Sequence, residues 1–287
     1  MDKNEPPPQD PQDPAAPHDR DVPAEAPSAE PGEFVVDYVP PDPDEPPPVE
    51  LWRAVGDVQP WGTLLVLFPC AVMFLLLAAR HALGGDDSLV TWGASATGRT
   101  ALDSTWRLLA STFLHAGPGH LFFNATTLII FGPAVERVFT RSGFWIVYGA
   151  GGALASLASL AWRGAHATGG SYSVGASGAI FALGGALMIG AFRLRQRLAV
   201  GRARSLAAAV LYLAGTGFAA GFTRNGTDNI AHAAGLLSGA LLGSVLGVSP
   251  RLGGRGAGLL TRVLAALAVL ALAMSLAWGI REGLAGG

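Results

Sequence analysis

Beyond residue 50 the chain consists of long apolar runs separated by short polar connectors. The runs approach the ~20 residues that a helix needs to cross a bilayer. We place seven of them, at 61–79, 120–138, 144–162, 174–192, 206–222, 229–248 and 258–280. The long connector between the first two, roughly 80–119, is amphipathic enough to lie along a membrane surface. The pattern predicts an all-α polytopic membrane protein.

The first 50 residues have the opposite character. They contain 15 of the 20 prolines and 14 of the 21 acidic residues. Such a segment has too little apolar surface to offset the entropy lost on ordering, so we predict a disordered acidic tail over 1–50. A transmembrane core then covers 51–250, and 251–287 provides a linker and the seventh helix.

Charge places the chain in a membrane and predicts its orientation. Only 14% of residues are charged, against about a quarter in soluble proteins. Arginines concentrate in the connectors after spans two, four and six, and cytoplasmic loops carry excess positive charge. We therefore predict a cytoplasmic N-terminus, with spans two, four and six running inward. The arginine bias favours a bacterial plasma membrane, and the composition gives no sign of a nucleic-acid-binding surface.

Polar residues gather at the predicted outer ends of those three spans, where they usually mark function. They are His120 and Asn124 on span two, Ser177 on span four and His232 on span six. Ser177 lies 16 residues before Arg193, which is about 24 Å of helix. In a ~30 Å core this places Ser177 several ångströms below the outer edge, and His232 reaches a similar depth.

Small residues predict that spans four and six touch. Gly235, Gly239 and Gly243 form a repeated G-x-x-x-G ridge on span six, and Gly178 and Gly185 give span four a comparable face. Such ridges let helix backbones approach closely. The Ser177 hydroxyl and the His232 imidazole are then expected to meet.

These residue types fit acyl-transfer chemistry. A serine hydroxyl needs a base to become a nucleophile, and His232 is the only histidine in spans four to seven. His120, Asn124 and the Ser177 amide could donate to an oxyanion. Asp228 is expected at the water boundary, so a Ser-His dyad is favoured over a triad. Each residue alone also has a structural explanation in helix packing, and both interpretations stay open on the residues alone.

No metal or cofactor is predicted. The chain has one cysteine, Cys70, and the sequence shows no Cys/His cluster of the kind that binds zinc. One cysteine also excludes an internal disulfide.

The motifs around these residues resemble those of the rhomboid family of intramembrane serine proteases. Gly175 to Gly178 matches its G-x-S-G pattern, Ala231 to Gly235 matches A-H-x-x-G, and His120 to Asn124 matches H-x-x-x-N. A Trp106-Arg107 pair and a stretch from Gly132 to Arg137 add to the similarity, which covers about residues 61–248.

The resemblance implies a six-helix bundle with one extra C-terminal transmembrane helix. It implies Ser177 as nucleophile, His232 as base, and His120 with Asn124 in an oxyanion hole. Phe181, Gly178 and Gly235 would pack the site. The expected function is cleavage of transmembrane segments in single-span or polytopic membrane proteins through an acyl-enzyme, without a cofactor. We hypothesise entry past span five, which is rich in glycine and alanine.

Two alternatives remain at the level of sequence. One is a rhomboid-like protein that binds membrane clients without cutting them. The other is a small transporter or channel, which would carry charged groups or broken helices at the midplane. The identity of substrates, the role of the tail and the oligomeric state are not indicated by the sequence.

Overall fold

The computed structural model describes residues 59–83, 86–166, 169–196, 200–223 and 227–286. The predicted acidic tail lies outside the described residues. Nine helices are assigned within these ranges: α1 Trp61–Ala79, α2 Asp86–Thr91, α3 Ala101–Ala110, α4 Pro118–Ile146, α5 Gly152–His166, α6 Ser177–Arg193, α7 Val200–Thr223, α8 Asn229–Val245 and α9 Leu259–Ala285. A π-helical turn, Val147–Gly151, joins α4 to α5, and short 3-10 turns occupy Ser111–Phe113 and Pro250–Leu252.

The helices confirm an all-α polytopic membrane fold. Three helical stretches are long and apolar enough to cross a membrane, and three shorter helices are also apolar. The long stretches are Trp61–Ala79, Pro118–His166 and Leu259–Ala285; the shorter ones are Ser177–Arg193, Ala207–Ala220 and Asn229–Val245. Each of the seven predicted runs falls on one of these helices.

Predicted spans two and three both lie on the 49-residue helical stretch Pro118–His166. They are separated at Thr140, whose φ of 68° and ψ of 169° are not helical. These angles interrupt the regular helical path, so the chain kinks there. The predicted boundary between 138 and 144 coincides with this break.

The connector after α1 has more structure than its amphipathic character suggested. It contains α2, α3 and a strand β1, Ser95–Ala96, which pairs antiparallel with β2, Tyr172–Ser173. Arg107 on α3 holds this region together, because its guanidinium donates to the carbonyls of Val90 and Ala94. The pairing of β1 with β2 ties the connector to the segment that leads into α6.

Helices α6 and α8 pack backbone to backbone, as the glycine ridge predicted. A Cβ added at Gly243 would lie 2.9 Å from the Cα of Ala186. Added Cβ atoms at Gly235 and Gly239 would collide with the carbonyl oxygens of Gly178 and Ala182. The absence of side chains along this ridge therefore brings α8 into direct contact with α6 over several turns.

Glu136 of α4 anchors the beginning of α1. Its carboxylate accepts hydrogen bonds from the amides of Gly62 and Thr63, at 3.1 and 2.8 Å, and from the Thr63 hydroxyl at 2.8 Å. The first amides of a helix have no partner within the helix, so an acceptor from a neighbouring helix satisfies them. This contact fixes α1 against α4.

The final helix, α9, packs against the connector. A Cβ at Gly279 would lie 2.8 Å from the carbonyl oxygen of Trp92, and one at Gly283 would enter the Trp92 ring. The rings of Trp278 and Trp106 lie 6.4 Å apart. The helix predicted at 258–280 therefore contacts α3 and the residues that follow α2.

Candidate active site

A glycine turn delivers Ser177 to the first position of α6. Gly175 has a φ of +121° and its amide donates to the Ser111 carbonyl oxygen at 2.9 Å. Glycine adopts such a φ without steric cost. A side chain here would also collide with a neighbour, because an added Cβ would lie 2.6 Å from His120 Nε2. The turn thus brings the start of α6 against α4.

The structure places the predicted nucleophile and base in hydrogen-bonding contact. His232 Nε2 lies 3.0 Å from Ser177 Oγ, within the range that proton transfer between a base and a nucleophile requires. His232 is the fourth residue of α8 and only 3% exposed. Because α8 begins at Asn229, His232 lies in its first turn. Ser177 likewise begins α6, so the two side chains meet at the same ends of their helices.

Two aromatic rings fix the plane of the imidazole. Phe181, one turn after Ser177, stacks on His232 with ring centroids 4.1 Å apart and an interplanar angle of 5°. Phe218 of α7 meets the same imidazole edge-on, at 5.9 Å and 88°. The predicted packing role of Phe181 has this geometry, while Phe218 was not singled out from the sequence.

The other ring nitrogen of His232 meets no carboxylate in the described part of the chain. Among the described residues, His232 Nδ1 has no hydrogen-bond partner. Asp228 is engaged elsewhere, since it accepts from the Ala231 amide at 2.9 Å and from the Ser159 hydroxyl. Within the described ranges, Ser177 and His232 therefore meet without an acid hydrogen-bonded to the imidazole.

His120 and Asn124 lie one turn apart on α4 and face the turn before Ser177. An added Cβ at Gly175 would be 2.6 Å from His120 Nε2 and 3.4 Å from Asn124 Nδ2. Asn124 is 8% exposed, and its Nδ2 has no hydrogen-bond partner within the described ranges. A buried donor without a partner costs about 1–3 kcal/mol, which suits a group that donates when an oxyanion forms.

His115 supports this pair from the connector. Its ring packs edge-on against His120, with centroids 5.1 Å apart. Burial, with a smaller contribution from nearby His120, lowers the pKa of His115 to about 3. His115 is thus neutral at physiological pH and adds no positive charge beside His120.

A cavity of about 1340 Å³ opens onto these side chains. This volume exceeds the about 300–1,000 Å³ that is usual for small-molecule sites. Its lining includes the four predicted residues together with residues of α7: Ser177, His232, His120, Asn124, Val210, Ala214, Thr216, Gly217, Ala219 and Ala220. The site is therefore large enough for a polypeptide segment and is bounded by α7.

Gly178 and Gly235 allow the two site helices to meet. An added Cβ at Gly178 would lie 2.9 Å from Ala155 Cβ, and one at Gly235 would be 3.2 Å from Phe181 Cβ. Both predicted packing positions thus lie where α6 and a neighbouring helix leave no room for a side chain. Within the described ranges no three His, Cys, Asp or Glu residues are grouped to hold a metal ion.

Comparison with known proteins identifies the family of the chain. Residues 102–249 match the Rhomboid domain family. Rhomboid protease GluP of Bacillus subtilis is 34% identical over 206 residues, 72% of this chain and 38% of GluP. YdcA of the same organism is 30% identical over 186 residues, 63% of this chain and 89% of YdcA. Rhomboid protease AarA of Providencia stuartii is 27% identical over 199 residues, 62% of this chain and 69% of AarA.

The chain thus spans well under half of GluP but most of YdcA. The matched segment contains Ser177, His232, His120 and Asn124, and the helices that carry them. The chain belongs to the rhomboid family.

Proposed function

We propose that the protein is an intramembrane serine endopeptidase, with Ser177 as nucleophile and His232 as general base. The observation that carries the proposal is the 3.0 Å separation of His232 Nε2 and Ser177 Oγ between two apolar helices. The names of GluP and AarA as rhomboid proteases support it. The substrates are transmembrane segments of single-span or polytopic membrane proteins.

The reaction follows from the two atoms in contact. His232 Nε2 takes the hydroxyl proton as Ser177 Oγ attacks the scissile carbonyl carbon, and a tetrahedral oxyanion forms. The C–N bond then breaks, the leaving amine takes the proton from Nε2, and an acyl-enzyme remains. A water molecule, deprotonated by His232, hydrolyses this ester and frees Ser177. Stacking on Phe181 keeps the imidazole in plane through both steps.

The oxyanion is stabilised by three donors in this proposal. His120 and Asn124 present side-chain nitrogens beside Gly175, and the Ser177 amide lies at the beginning of α6. A helix N-terminus carries a partial positive charge that favours a nearby anion. Donors already in position need no reorganisation when charge develops.

A substrate segment reaches the site from the α7 side. The α7 wall of the cavity is lined by small residues such as Ala214 and Gly217, which offer little steric resistance to an entering chain. The segment must unwind locally, because a helix keeps its carbonyls in internal hydrogen bonds. Substrates with helix-destabilising residues near the cleavage point are therefore preferred.

We also propose that the N-terminus faces the cytoplasm of a bacterial plasma membrane. The arginine-rich connectors support this orientation. Arg193 at the end of α6 donates to the carbonyl oxygens of Gly243 and Leu246, at 2.7 and 2.6 Å. Arg193 therefore lies at the carboxyl ends of α6 and α8, whereas Ser177 and His232 lie at their amino ends. In the proposed orientation the carboxyl ends face the cytoplasm.

A cleavage assay in liposomes tests the function. The full chain is reconstituted with a single-span test substrate, and products are identified by mass. Wild type is expected to cut within the membrane segment, whereas Ser177→Ala and His232→Ala are inactive. Ser244→Ala is a matched control, because among the described residues this exposed hydroxyl donates only to the Leu241 carbonyl oxygen of its own helix. Full cleavage by Ser177→Ala would refute the proposal; substrate capture without cleavage by wild type would favour the client-binding alternative.

A further inference from the structure

The carboxylate of Asp228 connects two helices near the proposed base. Oδ1 accepts a hydrogen bond from the Ala231 amide at 2.9 Å and so caps the first turn of α8. The Asp228 carbonyl oxygen accepts from the His232 amide at 3.1 Å. Oδ2 accepts from the hydroxyl of Ser159 on α5. Asp228 therefore fixes the turn that holds His232 relative to α5.

Ser159 passes this contact on to an arginine. The serine is fully buried, and its Oγ accepts from Arg163 Nε at 3.0 Å while donating to Asp228. A hydroxyl can do both at once because it has one proton and two lone pairs. The positive guanidinium and the negative carboxylate thus flank one hydroxyl, which strengthens both hydrogen bonds.

Arg163 also holds the strand pair that precedes Ser177. Its Nη1 donates to the Ser171 carbonyl oxygen at 3.1 Å, and its Nη2 donates to Ser95 Oγ at 3.2 Å. Ser171 precedes β2, and Ser95 belongs to β1. From β2 the chain runs through the Gly175 turn into Ser177. One guanidinium thus connects the approach to the nucleophile with the cap of the helix that carries the base.

We propose that Asp228, Ser159 and Arg163 form a positioning network that sets the separation of Ser177 and His232. This inference rests on the proposed function. Among the described residues, none of the three side chains hydrogen-bonds to Ser177 Oγ or to the His232 ring. Asp228 acts through the first turn of α8, Arg163 acts through the strand pair, and Ser159 joins the two. A misplacement of about 1 Å between reacting groups can cost about 10²-fold in rate, so a partial loss of this network affects turnover before it affects substrate binding.

Ser159→Ala tests the network with the smallest change. It removes the hydroxyl that joins Asp228 to Arg163 but leaves Asp228 free to cap Ala231. We expect kcat to fall about 10-fold, with KM within about two-fold of wild type, because α7 is unchanged and Ser159 is not among the residues that line the cavity. The rate at which a fluorophosphonate labels Ser177 should fall by the same factor, since labelling depends on the same proton transfer.

A second variant and a control separate positioning from stability. Asp228→Asn keeps an oxygen for the Ala231 amide but loses the charge. The double variant Asp228→Asn with Ser159→Ala should lower kcat no further than the more damaging of the two single substitutions, because both substitutions break the same network. Ser244→Ala should leave kcat unchanged. Unfolding midpoints are measured for every variant in the same detergent.

The results distinguish this inference from the proposed function. If wild type cleaves and Ser177→Ala does not, the function stands, and an unchanged kcat in Ser159→Ala overturns only the network. Additive effects of Ser159→Ala and Asp228→Asn would also overturn it. The network would also be overturned if the variants lost activity only at temperatures where they unfold and matched wild type at lower temperatures. That result would indicate a role in stability alone.

Discussion

Asn124→Ala should separate activity from stability more cleanly than any other change at the site. The Nδ2 of Asn124 is buried and has no hydrogen-bond partner among the described residues. In the resting protein it therefore contributes desolvation cost, about 1–3 kcal/mol, rather than a bond. In the proposed transition state it donates to the oxyanion, and loss of one such donor lowers kcat by about 10²–10³-fold, or about 2.7–4 kcal/mol.

The stability of this variant follows from its surroundings. Asn124 lines the large cavity, so truncation enlarges an existing space rather than opening a new void in the core. The relief of the unpaired donor offsets the lost packing. We therefore expect the free energy of unfolding to change by less than about 1 kcal/mol.

Two measurements on the same preparation test this reasoning. Cleavage of a single-span substrate in liposomes gives kcat and KM, and unfolding in detergent gives stability, with Ser244→Ala as the control for both. The prediction is a large fall in kcat with a nearly unchanged unfolding free energy. A destabilisation above about 2 kcal/mol, or a kcat within a few-fold of wild type, would show that Asn124 serves packing and not the oxyanion.

Two further predictions concern the fold. Glu136→Ala should lower the free energy of unfolding by about 2–4 kcal/mol, because it removes three hydrogen bonds and leaves buried amides at the beginning of α1 unpaired. Unfolding in detergent measures this free energy, and a change below about 1 kcal/mol would contradict the prediction. Gly239→Ala should cost about 1–3 kcal/mol, because its Cβ would collide with the Ala182 carbonyl. Gly215→Ala is the control, since nothing lies within 4 Å of that Cβ, and equal effects of the two substitutions would refute the packing argument.

The helices and their main contact could be predicted because each depends on a local, repeated signal. Run length identifies the spans, and the spacing of Gly235, Gly239 and Gly243 indicates where α8 approaches α6. The depth of Ser177 and His232 in the membrane was predicted by counting the residues between each of them and the polar end of its predicted span. These features need no knowledge of how any helix is rotated relative to a distant one.

The rest depended on tertiary contacts that leave little local pattern. Strand β1 is two residues long and pairs with β2 more than 70 positions away, far too short for an alternating pattern. The rotation of α7 about its axis, which brings Phe218 to His232, could not be predicted. Apolar and small residues occur all around this helix, so its sequence does not mark the face that points to the site. Ser159 and Arg163 were not singled out because neither belongs to a recognisable motif, although Arg163 is the lone arginine between spans three and four.

The central claim is that His232 activates Ser177, and covalent labelling tests it most directly. The full chain in detergent is treated with a fluorophosphonate, the modified residue is located by mass spectrometry, and residual cleavage is measured on the same sample. The account predicts that Ser177 is labelled, that activity falls in proportion to labelling, and that His232→Ala is labelled at least about 100-fold more slowly. Equal labelling rates in wild type and His232→Ala, or full cleavage by protein labelled at Ser177, would contradict it.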